Sequence, residues 1–204
     1  MLEEFEVQLV AAWHGTGWIE IIAAALAIAY LLLAIRQSIH CWVAAFVSSC
    51  LYVWVLFGAR LYMESALNGF YAAMAAYGFW QWRESAGSAA VKIHRWTLSR
   101  NAFGTAGIIG LSAVSAYFLR RFTHAAWPFV DSMVAWASVF ATFMVARKVY
   151  ENWHWWLVID SVSLCLYFTR RLYLTTLLFA LYLALIVVGM REWRRSLRIA
   201  AHAA

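Results

Sequence analysis

Charge is what this chain of 204 residues has least of: Asp, Glu, Lys and Arg make up only 13% of it, against about 25% in an ordinary soluble domain. So few charges cannot cover a water-facing surface, which excludes a soluble globular protein. Cysteine is also scarce. Cys41, Cys50 and Cys165 lie inside apolar runs, and their number and spacing fit neither a disulfide set nor a metal site, so they are expected to be small packing residues. The six histidines are scattered, and there is no HExxH pair, Gly-rich phosphate loop or nucleophile elbow. An enzyme, a bound metal and a cofactor are therefore not expected. The acidic start MLEEFEVQ has no basic n-region or small-residue cleavage site, so no signal-peptide processing is expected.

What the chain has instead is 65% hydrophobic residues. They fall into seven runs, at 18–35, 41–57, 61–82, 102–119, 127–146, 153–168 and 172–190. Each is near the roughly 17 to 25 residues that a spanning helix needs. The second and sixth are shortest and carry polar groups, so they suit the interior of a bundle better than its lipid face. The net charge of +6 lies between the spans rather than along one face, which argues against a nucleic-acid partner. With the N-terminus outside, the inner segments carry 11 Lys and Arg and the outer segments 5. That asymmetry predicts N-out and C-in.

A repeat runs through these spans. Shifted by 111 residues without a gap, 36–85 falls on 147–196 with 14 identities in 50 positions, well above what composition alone yields. Arg60, Leu61 and Tyr62 meet Arg171, Leu172 and Tyr173, and Tyr71, Gly78, Trp82 and Arg83 meet Tyr182, Gly189, Trp193 and Arg194. Spans 1 to 3 and 5 to 7 are thus two three-helix units, and span 4 crosses once so that both point the same way. The expected fold is an all-α integral membrane protein with a 3+1+3 plan, in which two parallel repeats are joined by a linker helix. Its parts are an extracytoplasmic segment (1–17), the first repeat (18–85), a cytoplasmic loop and linker helix (86–126), the second repeat (127–196) and a cytoplasmic tail (197–204). Parallel repeats of this kind are a transporter plan with the substrate at the midplane. The Gly, Ala and Ser of span 4 allow it to pack closely on the bundle.

One polar stripe stands out. In span 6, Trp153, Trp156, Asp160, Ser163 and Tyr167 recur every three or four residues and share one helix face. An Asp at membrane depth costs at least about 2.5 to 3.5 kcal/mol, so this face should look inward. Rings beside a carboxylate suit a flat cation, through π attraction and charge. The shift gives span 2 the matching face, with Trp42, Ser49 and Tyr52 opposite Trp153, Asp160 and Ser163. Span 3 adds Asn68 and Tyr71, with Glu64 nearer its outer end. His154 and Trp155 fit an interfacial aromatic belt. Glu20 and Asp131 suit helix N-termini, and Pro128 suits a first turn.

The segments VARKVYENWHWWLVID, RLYLTTLLF, GWIEIIAA, PFVDS and LYMESALNGFYAAMAAYGFWQW, together with the repeat, resemble the PnuC family of bacterial vitamin transporters, known for nicotinamide riboside uptake. The likeness covers nearly the whole chain. It implies a SWEET-like fold and a homo-oligomer, often a trimer, in the bacterial inner membrane. It also implies facilitated diffusion made one-way by phosphorylation inside the cell. By the family motif, the binding residues fall on Asn152, Trp153, Trp156 and position 160, and on the span 3 amide at Asn68. Members of the family can have Asn where this chain has Asp160, and Gln where it has Asn68. Nicotinamide riboside is the expected cargo. Thiamine, also a flat cation, or another vitamin is the alternative within the family, some of whose members carry riboflavin; a proton- or sodium-coupled symporter and a non-transporting scaffold are the alternatives in mechanism.

Overall fold

The computed structural model describes residues 17–60, 62–84, 92–122 and 127–202. Residues 1–16 of the expected N-terminal segment, Leu61 and Ser85 of the first repeat, 86–91 and 123–126 of the expected loop and linker, and 203–204 of the expected tail lie outside the described residues. Seven α-helices follow one another: α1 (Trp18–Ile35), α2 (His40–Gly58), α3 (Tyr62–Glu84), α4 (Leu98–Phe122), α5 (Pro128–Ala146), α6 (Asn152–Thr169) and α7 (Tyr173–His202). They match the seven apolar runs to within a few residues, except that α7 carries straight on through the basic tail.

Five of these helices, α1, α2, α4, α5 and α7, are long and apolar enough to cross a bilayer. The other two, α3 and α6, carry the Asn68–Tyr71 and Asp160 stripes. Helices that polar belong where protein rather than lipid surrounds them. The packing agrees: α2 touches both α1 and α3, and α6 touches both α5 and α7. Between these triplets α3 packs on α5 and α1 on α7, while α4 lies on α5. There Trp136 of α5 donates its indole N–H to Ser115 Oγ at 3.0 Å, and Gly104 leaves room for the Phe140 ring.

The 111-residue offset reappears in backbone detail. The non-glycine residues with positive φ are Gln37 (55°), Arg60 (62°), Lys148 (53°) and Arg171 (59°), two pairs separated by that shift. After α1, the N–H groups of Gln37 and Ser38 bond Ala34 O and Leu33 O; after α5, those of Lys148 and Val149 bond Val145 O and Met144 O. Both helices thus end in the same left-handed cap, which satisfies carbonyls the helix leaves open.

Side chains repeat the pattern. The Trp42 ring fills the notch at Gly78 and Trp153 the notch at Gly189, where any Cβ would overlap the indole. Each meets a second indole edge-on, Trp42 with Trp82 at 5.5 Å and Trp153 with Trp193 at 5.4 Å. Those second indoles reach into the other triplet: Trp82 donates to Ala146 O at 3.0 Å and Trp193 to Ala34 O at 3.1 Å. Lipid supplies no hydrophobic drive between helices, so close fit and hydrogen bonds of this kind hold the bundle. Glu20, Glu64 and Asp131 sit in the first turns of α1, α3 and α5, with Pro128 opening α5. Of the cysteines, Cys41 is buried and Cys50 and Cys165 are exposed on helix faces.

Candidate functional site

Asp160 stands midway along the 18-residue α6, about 12 Å from Asn152 at 1.5 Å per residue. It is only 5% exposed. Among the described residues the one ion pair is Arg95 with Glu151, so no cationic side chain neutralises Asp160. Hydroxyls gather round it from both triplets. Tyr71 of α3 lies within its electrostatic reach and near Ser138 of α5. Ser138 donates to Val134 O at 2.7 Å. Tyr182 of α7 is within reach of both Asp160 and Tyr52 of α2. A lone carboxylate with a phenol from each triplet within its electrostatic reach can take a cation together with hydrogen-bonding groups attached to it.

The stripe expected on α6 divides by depth. Trp156 is half-buried beside the small cluster of Ile108, Ala137, Ala141 and Ile159. Ser163, one turn beyond Asp160, is buried, as is Ser49, the 111-residue counterpart of Asp160 on α2. Tyr167 rests on Phe179 at 5.2 Å, which in turn meets Tyr182 at 5.7 Å, giving an aromatic run from the Asp160 level toward the Arg170 end. At that end Tyr167 lies within the fields of Glu64 and Asp131, and Tyr52 within that of Glu20.

Toward the opposite end, Asn152, Trp153 and Trp42 are almost fully buried. Asn152 donates Nδ2 to Val149 O at 2.5 Å. Its Oδ1 and the Nε1 groups of Trp153 and Trp42 are buried without a partner among the described residues. Beyond them come the cations: Lys148 Nζ lies 4.5 Å over the Trp82 ring, and burial pushes its pKa below that of an ordinary lysine.

Asn68 keeps to its own helix, donating Nδ2 to Glu64 O at 2.9 Å. Trp155 packs edge-on against Phe140 at 5.4 Å, and His154 is exposed. Two residues of the cluster, Tyr182 and Ser138, are missing from the set expected from sequence. Tyr182 is legible as the 111-residue partner of Tyr71. Ser138, a lone hydroxyl in an apolar run, gives no such signal.

Apolar helices around a buried polar centre make a multi-pass membrane transporter. Residues 17–195 match the family described as nicotinamide mononucleotide transporter, and the chain belongs to that family, the PnuC family of vitamin transporters. The riboflavin/roseoflavin transporter RibM of Streptomyces davaonensis is 29% identical over 86% of this chain and 84% of its own. The nicotinamide riboside transporter PnuC of Escherichia coli is 24% identical over 92% of this chain and 90% of its own. A crystal structure of the vitamin B3 transporter PnuC superposes with a TM-score of 0.74 at 21% identity, covering 97% of this chain and 89% of that one. These relatives are transporters, not enzymes, and the fold is theirs.

Proposed function

We propose that this chain carries a flat, cationic, water-soluble vitamin, nicotinamide riboside, across the bacterial inner membrane by facilitated diffusion. The observation that carries the reading is Asp160: a carboxylate buried in protein, with no cationic side chain paired to it among the described residues, facing tyrosines of both triplets. A bound pyridinium supplies the missing positive charge.

In this reading the triplets α1–α3 and α5–α7 are parallel repeats about an axis along the membrane normal, joined by α4 in a 3+1+3 plan. The paired caps, indole notches and crossed hydrogen bonds support it. The end that holds Glu20, Glu64 and Asp131 faces outward and the Lys148 end the cytoplasm, with N-out and C-in. The vitamin enters past Glu20, Glu64, Tyr52 and Tyr167, stacks on Trp156, bonds Asp160, and presents its ribose hydroxyls to Tyr71, Tyr182, Ser49 and Ser163. Rocking of the triplets then passes it toward Asn152, Trp153 and Trp42, whose unpaired polar atoms offer transient partners, while Asn68 lines the approach. An inside-negative potential favours entry of a cation by about 2.3 kcal/mol per 100 mV. Phosphorylation inside prevents return, no coupling ion is needed, and the unit assembles as a trimer.

A second reading has one observation in its favour: the higher identity to RibM, which points to riboflavin, a neutral ring system for which a bare carboxylate offers no charge pairing. The test is a binding panel on purified protein with nicotinamide riboside, its mononucleotide, thiamine and riboflavin. Stabilisation by nicotinamide riboside that Trp156→Ala abolishes is the expected result; stabilisation by riboflavin alone replaces the proposal with the second reading. Stabilisation by thiamine alone keeps the cation site and changes the cargo. Uptake into proteoliposomes that collapses with ionophores would show ion coupling instead.

A further inference from the structure

Where α7 runs on past the bundle, a cavity of about 570 Å³ opens between it, the start of α6 and the segment before α4. Its walls are Arg194, Leu197, Arg198 and Ala201 on α7, Tyr150 and His154 across from them, and Arg95. The α7 residues follow the i, i+3, i+4, i+7 spacing of one helix face, so two guanidiniums lie beside a small apolar strip.

Arg95 is held in place from two sides. Glu151 Oε1 accepts from its Nε at 3.0 Å, and its guanidinium carbon stands 5.5 Å over the Tyr150 ring. Glu151 Oε2 also accepts from the backbone N–H of Trp96 at 3.0 Å. The bridge between His94 and Val149 ties the same segment to the α5–α6 turn. These contacts leave the Nη edge of Arg95 as its remaining donor surface. Arg194 and Arg198 have no acidic partner among the described residues. Three planar forks therefore converge on one hollow with a single carboxylate nearby, and that carboxylate is already doubly engaged.

We propose that this hollow is an anion site for a phosphate group, separate from the Asp160 centre and of the opposite charge preference. Guanidinium forks match phosphate oxygens two at a time. Basic pockets beside membrane helices at the headgroup level hold phospholipid head groups. The apolar strip of Leu197 and Ala201 adds a place for the first acyl carbons, which a soluble phosphate does not have. The shared chemistry is the phosphate, and the two sources are an anionic phospholipid and free phosphate.

The test uses the full-length protein in detergent. Native mass spectrometry counts retained phosphatidylglycerol, with phosphatidylcholine as the zwitterionic control, and melting curves are taken with glycerol phosphate and with inorganic phosphate. The expected result is retention of phosphatidylglycerol over phosphatidylcholine, reduced at least tenfold in Arg194→Gln/Arg198→Gln and only partly restored by lysine at both positions, which returns the charge without the fork. It should also fall in about 1 M salt, where the Debye length is only about 3 Å. Arg195→Gln removes an equal charge from the same helix outside the hollow, and it should leave retention unchanged. Stabilisation by inorganic phosphate, lost in the same double variant, identifies free phosphate as the source and upholds the site. Equal loss in Arg195→Gln, or retention indifferent to the double variant, overturns the proposal. Vitamin binding measured in the same samples should not change in any variant.

Discussion

The two triplets agree in their indoles and differ in their charge. Trp42, Gly78 and Trp82 in one correspond to Trp153, Gly189 and Trp193 in the other, down to the edge-on ring pairs and the hydrogen bond thrown to the opposite triplet. At mid-depth the likeness stops: α6 has Asp160 where α2 has Ser49, both buried. A feature kept in both triplets is what any such triplet needs to pack. The feature found in one is where the proposed function puts its ligand, since a ligand without two-fold symmetry cannot satisfy two identical walls.

The largest expected effect tests the shared part. Gly78→Val and Gly189→Val each push a branched side chain into a fully occupied indole notch. Each should destabilise by the upper part of the roughly 1–3 kcal/mol range for overpacking, or more. Melting temperatures in detergent check this, and a loss in one variant without the other would break the comparison. Next comes the part that differs. Asp160→Asn should weaken nicotinamide riboside binding by about tenfold to a hundredfold, since hydrogen bonds to charged groups contribute about 1.5–3 kcal/mol. The same change should leave the melting temperature of the empty protein equal or higher, because it removes an uncompensated buried charge. Calorimetric titration beside a melting curve separates the two effects. A fall in stability with unchanged affinity would make Asp160 structural.

Much of this was legible in the sequence, for definable reasons. Helix existence follows from uninterrupted apolar length and is seen in the helix order, and the single ungapped offset recurs in the paired left-handed residues. Helical periodicity also grouped Trp153 with Asp160 correctly by face, but it carries no information about depth. Seven residues separate them, about 10 Å along the axis, so Trp153 lies in the Gly189 notch while Asp160 lies among the tyrosines. The crossed bonds from Trp82 and Trp193 were not legible, because they depend on which helices of different triplets touch. The matched Trp-Arg pairs marked the repeat without saying what the indoles bond.

Those crossed bonds give the third test. Trp82→Phe and Trp193→Phe keep a ring in each notch wall and remove one N–H, leaving Ala146 O or Ala34 O without that donor. Each should cost about 1 kcal/mol, the usual net value of one hydrogen bond. The double variant should cost about the sum if the clasps act independently. A saving in the double variant would mean that the triplets already separate when the first clasp opens.

The smallest effect sits at the left-handed turns. Arg60 and Arg171 hold φ of 62° and 59°, a conformation that costs a residue with a Cβ roughly 1–2 kcal/mol. Glycine removes that strain but adds about 0.5–1 kcal/mol of backbone freedom lost on folding. Arg60→Gly and Arg171→Gly should therefore each raise stability by between zero and about 1.5 kcal/mol, with the middle of that range below about 1. Both residues are exposed, so little packing is lost with the side chain. Melting curves of the two variants, taken side by side, should move in the same direction and by similar amounts. Opposite signs would mean that one arginine has a task its counterpart lacks, and the charge difference between the triplets would then extend beyond Asp160 to the membrane surface.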